Sequence, residues 1–101
     1  MPQYMPQFAT VLQVMPDYRD KYVKYTGSDR MFENINGGRL RLPKGAIGVC
    51  YAVIGPKMFV GFRDTDTLMH PPYKFGLGHE TQWKYQVEIY PYDDPNWEVE
   101  L

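Results

Sequence analysis

From residue 81 to residue 90 the chain changes character at almost every step. Trp83, Tyr85, Val87 and Ile89 alternate with Lys84, Gln86 and Glu88. A strand sends successive side chains to opposite faces, so this period of two predicts a half-buried strand with the four large residues pointing inward. A helix would need its apolar residues three and four apart, and no segment of the chain offers that over any length. The last residues repeat the alternation, Trp97, Val99 and Leu101 against Glu98 and Glu100. A strand there must pair with something or stand as a bare edge.

The rest of the chain is cut into similar short pieces by nine prolines and nine glycines. Phe8 to Val14 reads as a strand with Phe8, Thr10, Leu12 and Val14 on one face, stopped by Pro16-Asp17. A helical turn fits near Asp17. Tyr22 to Tyr25 is a short strand. Arg30 to Ile35 and Arg39 to Leu42 flank Asn36-Gly37-Gly38, a hairpin signal in which Asn36 and Gly37 supply the positive φ of the turn. Ala46 to Ile54 is apolar on both faces and predicts a central strand covered on both sides. Met58 to Phe62 returns antiparallel after Gly55-Pro56-Lys57, and Gly61 within it points to a bulge or sharp bend. The expected fold is all-β: a small antiparallel barrel or sandwich of six to seven short strands, similar in size to SH3-like and oligonucleotide-binding barrels. That comparison is one of architecture alone and carries no function.

Two segments stand outside this pattern. Residues 1–7 form an extended arm, because Met1-Pro2-Gln3-Tyr4 is repeated at once by Met5-Pro6-Gln7-Phe8 and proline pushes its predecessor to extended geometry. Residues 63–80 form a long irregular loop containing Pro71, Pro72, Gly76 and Gly78. Loops of this length in small domains are often functional. Residues 8–101 are read as one domain.

Net charge is −1, but it is sorted along the chain. Residues 1–57 hold eight bases against four acids, and residues 58–101 hold eight acids against three bases. A near-neutral total gives little drive for non-specific nucleic-acid binding, while the sorting suits a dipolar molecule that stacks on itself or meets a charged partner. The single cysteine, Cys50, allows no intrachain disulfide and fits a reducing compartment. There is no secretory signal and no membrane span, the longest apolar run being Ala46 to Ile54, so a cytoplasmic protein is expected.

Catalytic chemistry finds little to work with. His70 and His79 share the long loop, and with Glu80 and Asp66 they could ligate zinc or iron, but no tight ligand spacing supports a metal. Cys50 lies among valine, tyrosine and alanine, where a thiol is inert. Asp93-Asp94 before Pro95 reads as a solvated turn cap. Gly76-Leu77-Gly78 lacks a third glycine and a helix to cradle phosphate. No enzyme, cofactor or metal is therefore expected.

Binding is the better-supported class. The arm offers Tyr4 and Phe8, and the loop tip offers Tyr73 and Phe75, as aromatic anchors for a protein partner or for self-association. The reading is a non-enzymatic interaction module, an assembly component or a small stoichiometric inhibitor, docking through the arm and the 63–80 loop. The alternative is a nucleotide or single-stranded nucleic-acid binder. It would use Arg39 and Arg41 on one strand face, with Tyr22, Tyr25 and Phe32 nearby for stacking, and Lys74, His70 and His79 in the loop.

Overall fold

The computed structural model describes residues 7–62 and 83–101. Eight strands and one 3-10 turn make up the described chain: β1 (Phe8–Thr10), the turn Pro16–Tyr18, β2 (Tyr22–Tyr25), β3 (Arg30–Glu33), β4 (Arg39–Leu42), β5 (Ile47–Ile54), β6 (Lys57–Phe62), β7 (Tyr85–Ile89) and β8 (Trp97–Glu100). Six of them form one antiparallel sheet in the order β1-β8-β2-β5-β6-β7, while β3 and β4 form a separate hairpin. The all-β expectation holds, with more strands than foreseen and a sheet that does not close.

The register shows which side chains share a face. Val23 stands opposite Val99, Tyr25 opposite Trp97, Cys50 opposite Val60 and Val60 opposite Val87. These line the inner face. The hairpin lays Phe32, Leu40 and Leu42 over it to complete the main core. Tyr25, Phe32 and Trp97 meet ring to ring with centroids 5.1–5.6 Å apart, tilted or edge-on as aromatic quadrupoles prefer. β5 sits between β2 and β6, and Ile47 to Cys50 are all buried, as a central strand requires.

Four local expectations are corrected. The first strand stops at Thr10, and its inward residue is Ala9, opposite Val99. Val11 is buried, its N–H donating to the Trp97 carbonyl, so the inward parity is 9 and 11; Leu12 is 79% exposed. The hairpin loop falls one residue earlier than foreseen, with Ile35, Asn36 and Gly37 inside the Asn34–Gly38 pair. The Gly37 N–H returns to the Asn34 carbonyl, and Gly37 (φ 103°) and Gly38 (φ 81°) carry the positive φ in place of Asn36.

Gly61 makes no bulge of its own. The register shift lies on the partner strand, between Cys50 and Ala52 of β5, opposite Val60 and Phe59. Gly61 instead leaves room for Trp83, since a Cβ there would collide with the indole. Gly61 pairs with Gln86, of opposite parity to Tyr85, Val87 and Ile89. Trp83 therefore lies on the outer face and leaves the row predicted for it. Buried Ile47 and Val49 also project from that face and, with Trp83, stand outside the main core.

Candidate functional site

The unclosed part of the sheet is where β7 faces β3. Gln86 donates its N–H to Asn34 Oδ1 (3.0 Å) and accepts at its carbonyl from the Ile35 N–H (2.8 Å). Both groups of Gln86 thus point away from β6. Backbone direction alternates along a strand, so the N–H and C=O of Glu88 point the same way, out of the edge, and no described residue bonds them. On the facing hairpin, the Asn34 N–H reaches the Gly38 carbonyl. By the same alternation Phe32 and Arg30 face β4, while Met31 and Glu33 face outward toward the gap. The two edges touch at Ile35–Gln86 and part beyond it.

Two adjoining hollows fill the divergence. One, of about 270 Å³, is lined by Arg30, Phe32, Glu88, Ile89, Tyr90 and the Asp93-Asp94 turn. The other, of about 440 Å³, is lined by Phe32, Glu33, Asn34, Ile35 and Glu88. Phe32 and Glu88 belong to both, so the hollows form one groove along the open edge. Its apolar content is Phe32, Ile89 and the half-exposed Ile35 and Tyr90; its remaining lining is mainly carboxylate.

One end of the groove is held by Asp94. Its carboxylate accepts from Arg30 Nη2 (2.8 Å) and from the Trp97 indole N–H (3.0 Å), while its other oxygen accepts from the Asn96 N–H (3.3 Å). Burial works against the charge, but the bonds from Arg30, Trp97 and Asn96 outweigh it and hold the carboxyl below the ordinary value. Arg30 in turn lies over the Phe32 ring at 4.3 Å. On the outer side, Glu88 takes a hydrogen bond from Tyr90 Oη (2.9 Å) and an ion pair from Lys57 (3.3 Å), both of which lower its pKa. Arg30 is thus matched by Asp94 and Lys57 by Glu88. Among the described residues Glu33 and Asp93 have no ion-pair partner.

Phe8, Arg39 and Arg41, sequence-predicted contacts among the described residues, do not line the groove. Tyr4, His70, Tyr73, Lys74, Phe75 and His79 fall outside the described residues. Phe8 is half-buried on β1, at the opposite edge of the sheet, with Lys24 Nζ 5.4 Å from its ring centre. Arg39 and Arg41 are exposed on β4, and Arg41 is paired with Asp29 at 3.0 Å. Of the rings proposed to stack bases beside them, Tyr25 (1% exposed) and Phe32 (9%) are buried and Tyr22 is half-buried. Among the described residues no cluster of His, Cys, Asp or Glu could hold a metal. No described helix is long and apolar enough to cross a membrane.

No family model, curated protein or solved structure matches the chain. Its function must be argued from its own geometry.

The groove went unforeseen in the sequence. Its closest signal is Asp93-Asp94-Pro95, which reads as a turn cap and is one: Asp94 closes the turn onto Trp97. Nothing local to Glu88 or Glu33 says that their strands end up facing each other across a gap.

Proposed function

We propose that this chain is a non-enzymatic protein-interaction module, an assembly component or a small stoichiometric inhibitor, acting in the cytoplasm. The observation that carries the reading is the open sheet. An edge with outward N–H and C=O groups, set beside a groove, is the arrangement to which an extended segment of another chain adds as a further strand. The arm with Tyr4 and Phe8 and the 63–80 loop with Tyr73 and Phe75 are proposed as additional docking segments from their residue types. A nucleotide or single-strand binder draws less support, because the groove lining is rich in carboxylates that repel phosphate, and Tyr25 and Phe32 are spent on the core.

The test is cross-linked affinity capture from the native host. Wild-type chain is compared with Glu88→Pro, with the Tyr73→Ala/Phe75→Ala pair, and with residues 1–7 deleted. A stoichiometric protein partner lost in at least one variant that still melts cooperatively is the expected result. If no protein is retained while a nucleotide raises the melting midpoint in a thermal-shift screen, the alternative replaces this reading.

A further inference from the structure

The groove also specifies what kind of segment it takes. We infer that its occupant is an extended, cationic stretch of a partner protein, added antiparallel to β7 at Glu88 with its basic side chains directed at Glu33 and Asp93. This rests on the interaction-module reading and adds the chemistry of the partner.

Three independent features converge on it. The first is backbone geometry. Glu88 presents its N–H and C=O outward beside a neighbour, Gln86, whose own pair is already taken by Asn34 and Ile35. A strand docking here continues the ladder where the hairpin leaves it. The second is width: the edges meet at Ile35–Gln86 and then part around hollows of about 270 and 440 Å³, so side chains as well as backbone have room.

The third is charge. Glu33, Glu88, Asp93 and Asp94 line the groove against one base, Arg30, and Arg30 is held by Asp94 at 2.8 Å. Lys57, outside the lining, covers Glu88. The surplus falls on Glu33 and Asp93. An acidic segment would meet like charge on both sides, whereas Lys or Arg at alternate positions meets opposite charge. The half-exposed Ile35 and Tyr90 of the groove lining take the intervening residues.

The other edge of the sheet, β1, makes a second copy the main rival occupant. The six strands alternate in direction, so β1 of a copy in the same orientation would also run antiparallel to β7. But Phe8-Ala9-Thr10 is uncharged and leaves the carboxylates unmatched.

Fluorescence anisotropy on the full chain decides the matter. The probes are a labelled, acetylated Lys-Val-Lys-Val-Lys-Val-Lys peptide, its Glu-for-Lys counterpart, and a version with its central amides N-methylated. The Lys peptide should bind saturably, and the Glu peptide should bind about tenfold or more weakly. N-methylation should abolish binding, because it removes the donors that extend the ladder. Glu33→Lys/Asp93→Lys should invert the preference. Glu88→Pro removes an outward N–H, which an edge strand tolerates, and should lose the Lys peptide. Equal binding of the two charged peptides, survival of N-methylation, or no binding at all overturns the inference. So does a concentration-dependent dimer in sedimentation that Glu88→Pro abolishes, which would make a second copy the occupant. If the peptides fail while a captured partner is still lost in Glu88→Pro, the module reading stands and only the cationic strand falls.

Discussion

Asp94 joins three parts of the molecule through one carboxylate: Arg30 from the hairpin, the Trp97 indole from the core, and the turn that precedes β8. Asp94→Ala leaves the indole N–H of a fully buried Trp97 without its acceptor and should cost about 1–3 kcal/mol, read from denaturant midpoints. The folded carboxyl titrates below the ordinary value, so its stabilising contribution is complete above that value and is lost as pH falls through the folded one. Asp94→Asn should therefore flatten the loss of stability below about pH 4. An unchanged acid limb would mean the bonds to Arg30 and Trp97 contribute nothing. Cys50 shows the opposite sign. Burial pushes its thiol from 9.0 up to about 11, against the lowering effect of backbone hydrogen bonds from Ala52 and Phe59. The unfolded thiol ionises first, so the stabilisation is complete below pH 9 and lost as pH rises from there through 11. The native thiol should resist alkylation at pH 8 and react only after denaturant is added; rapid native labelling would contradict its burial.

At the scale of elements, strand packing depends on what is absent at Gly61. Trp83 occupies the space a Cβ would take, so Gly61→Ala must displace an indole that is 3% exposed. A destabilisation of about 1–3 kcal/mol follows, with a change in tryptophan fluorescence that a merely weakened strand would not give. The β7 edge is protected in one place and open in the next. Asn34 covers Gln86 and reaches the Lys84 carbonyl at 3.4 Å, whereas Glu88 has no such cover. Amide exchange should follow that division, slow at Gln86 and fast at Glu88. Equal protection at the two amides would show that the edge is closed in solution.

Across the whole molecule, the last strand is a keystone. β8 lies between β1 and β2, joined to both, and supplies Trp97 and Val99 to the core. The sheet cannot be completed until residues 97–100 are in place, and its pairings join distant parts of the chain, so folding belongs with the slower topologies. Removing residues 97–101 should abolish near-ultraviolet circular dichroism and cooperative melting. A truncated chain that still melts cooperatively would show that the core closes without β8.

Alternation along residues 81–90 and 97–101, turn residues at Asn36-Gly37-Gly38 and Gly55-Pro56, and the apolar run from Ala46 place most of the strands. This works because the period of two is built into the geometry of an extended chain and needs no neighbour to express it. Tertiary structure decided the rest. It chose Ala9 over Phe8 as the inward residue of β1, because β1 takes its register from β8. It turned Trp83 away from Tyr85, Val87 and Ile89, because Gly61 offered the indole a place on the other face. It set β3 beside β7 without zipping them together. Strand pairing is made by backbone groups that nearly every residue carries, so side-chain pattern can say where a strand runs, while only the folded chain determines which edge is left open.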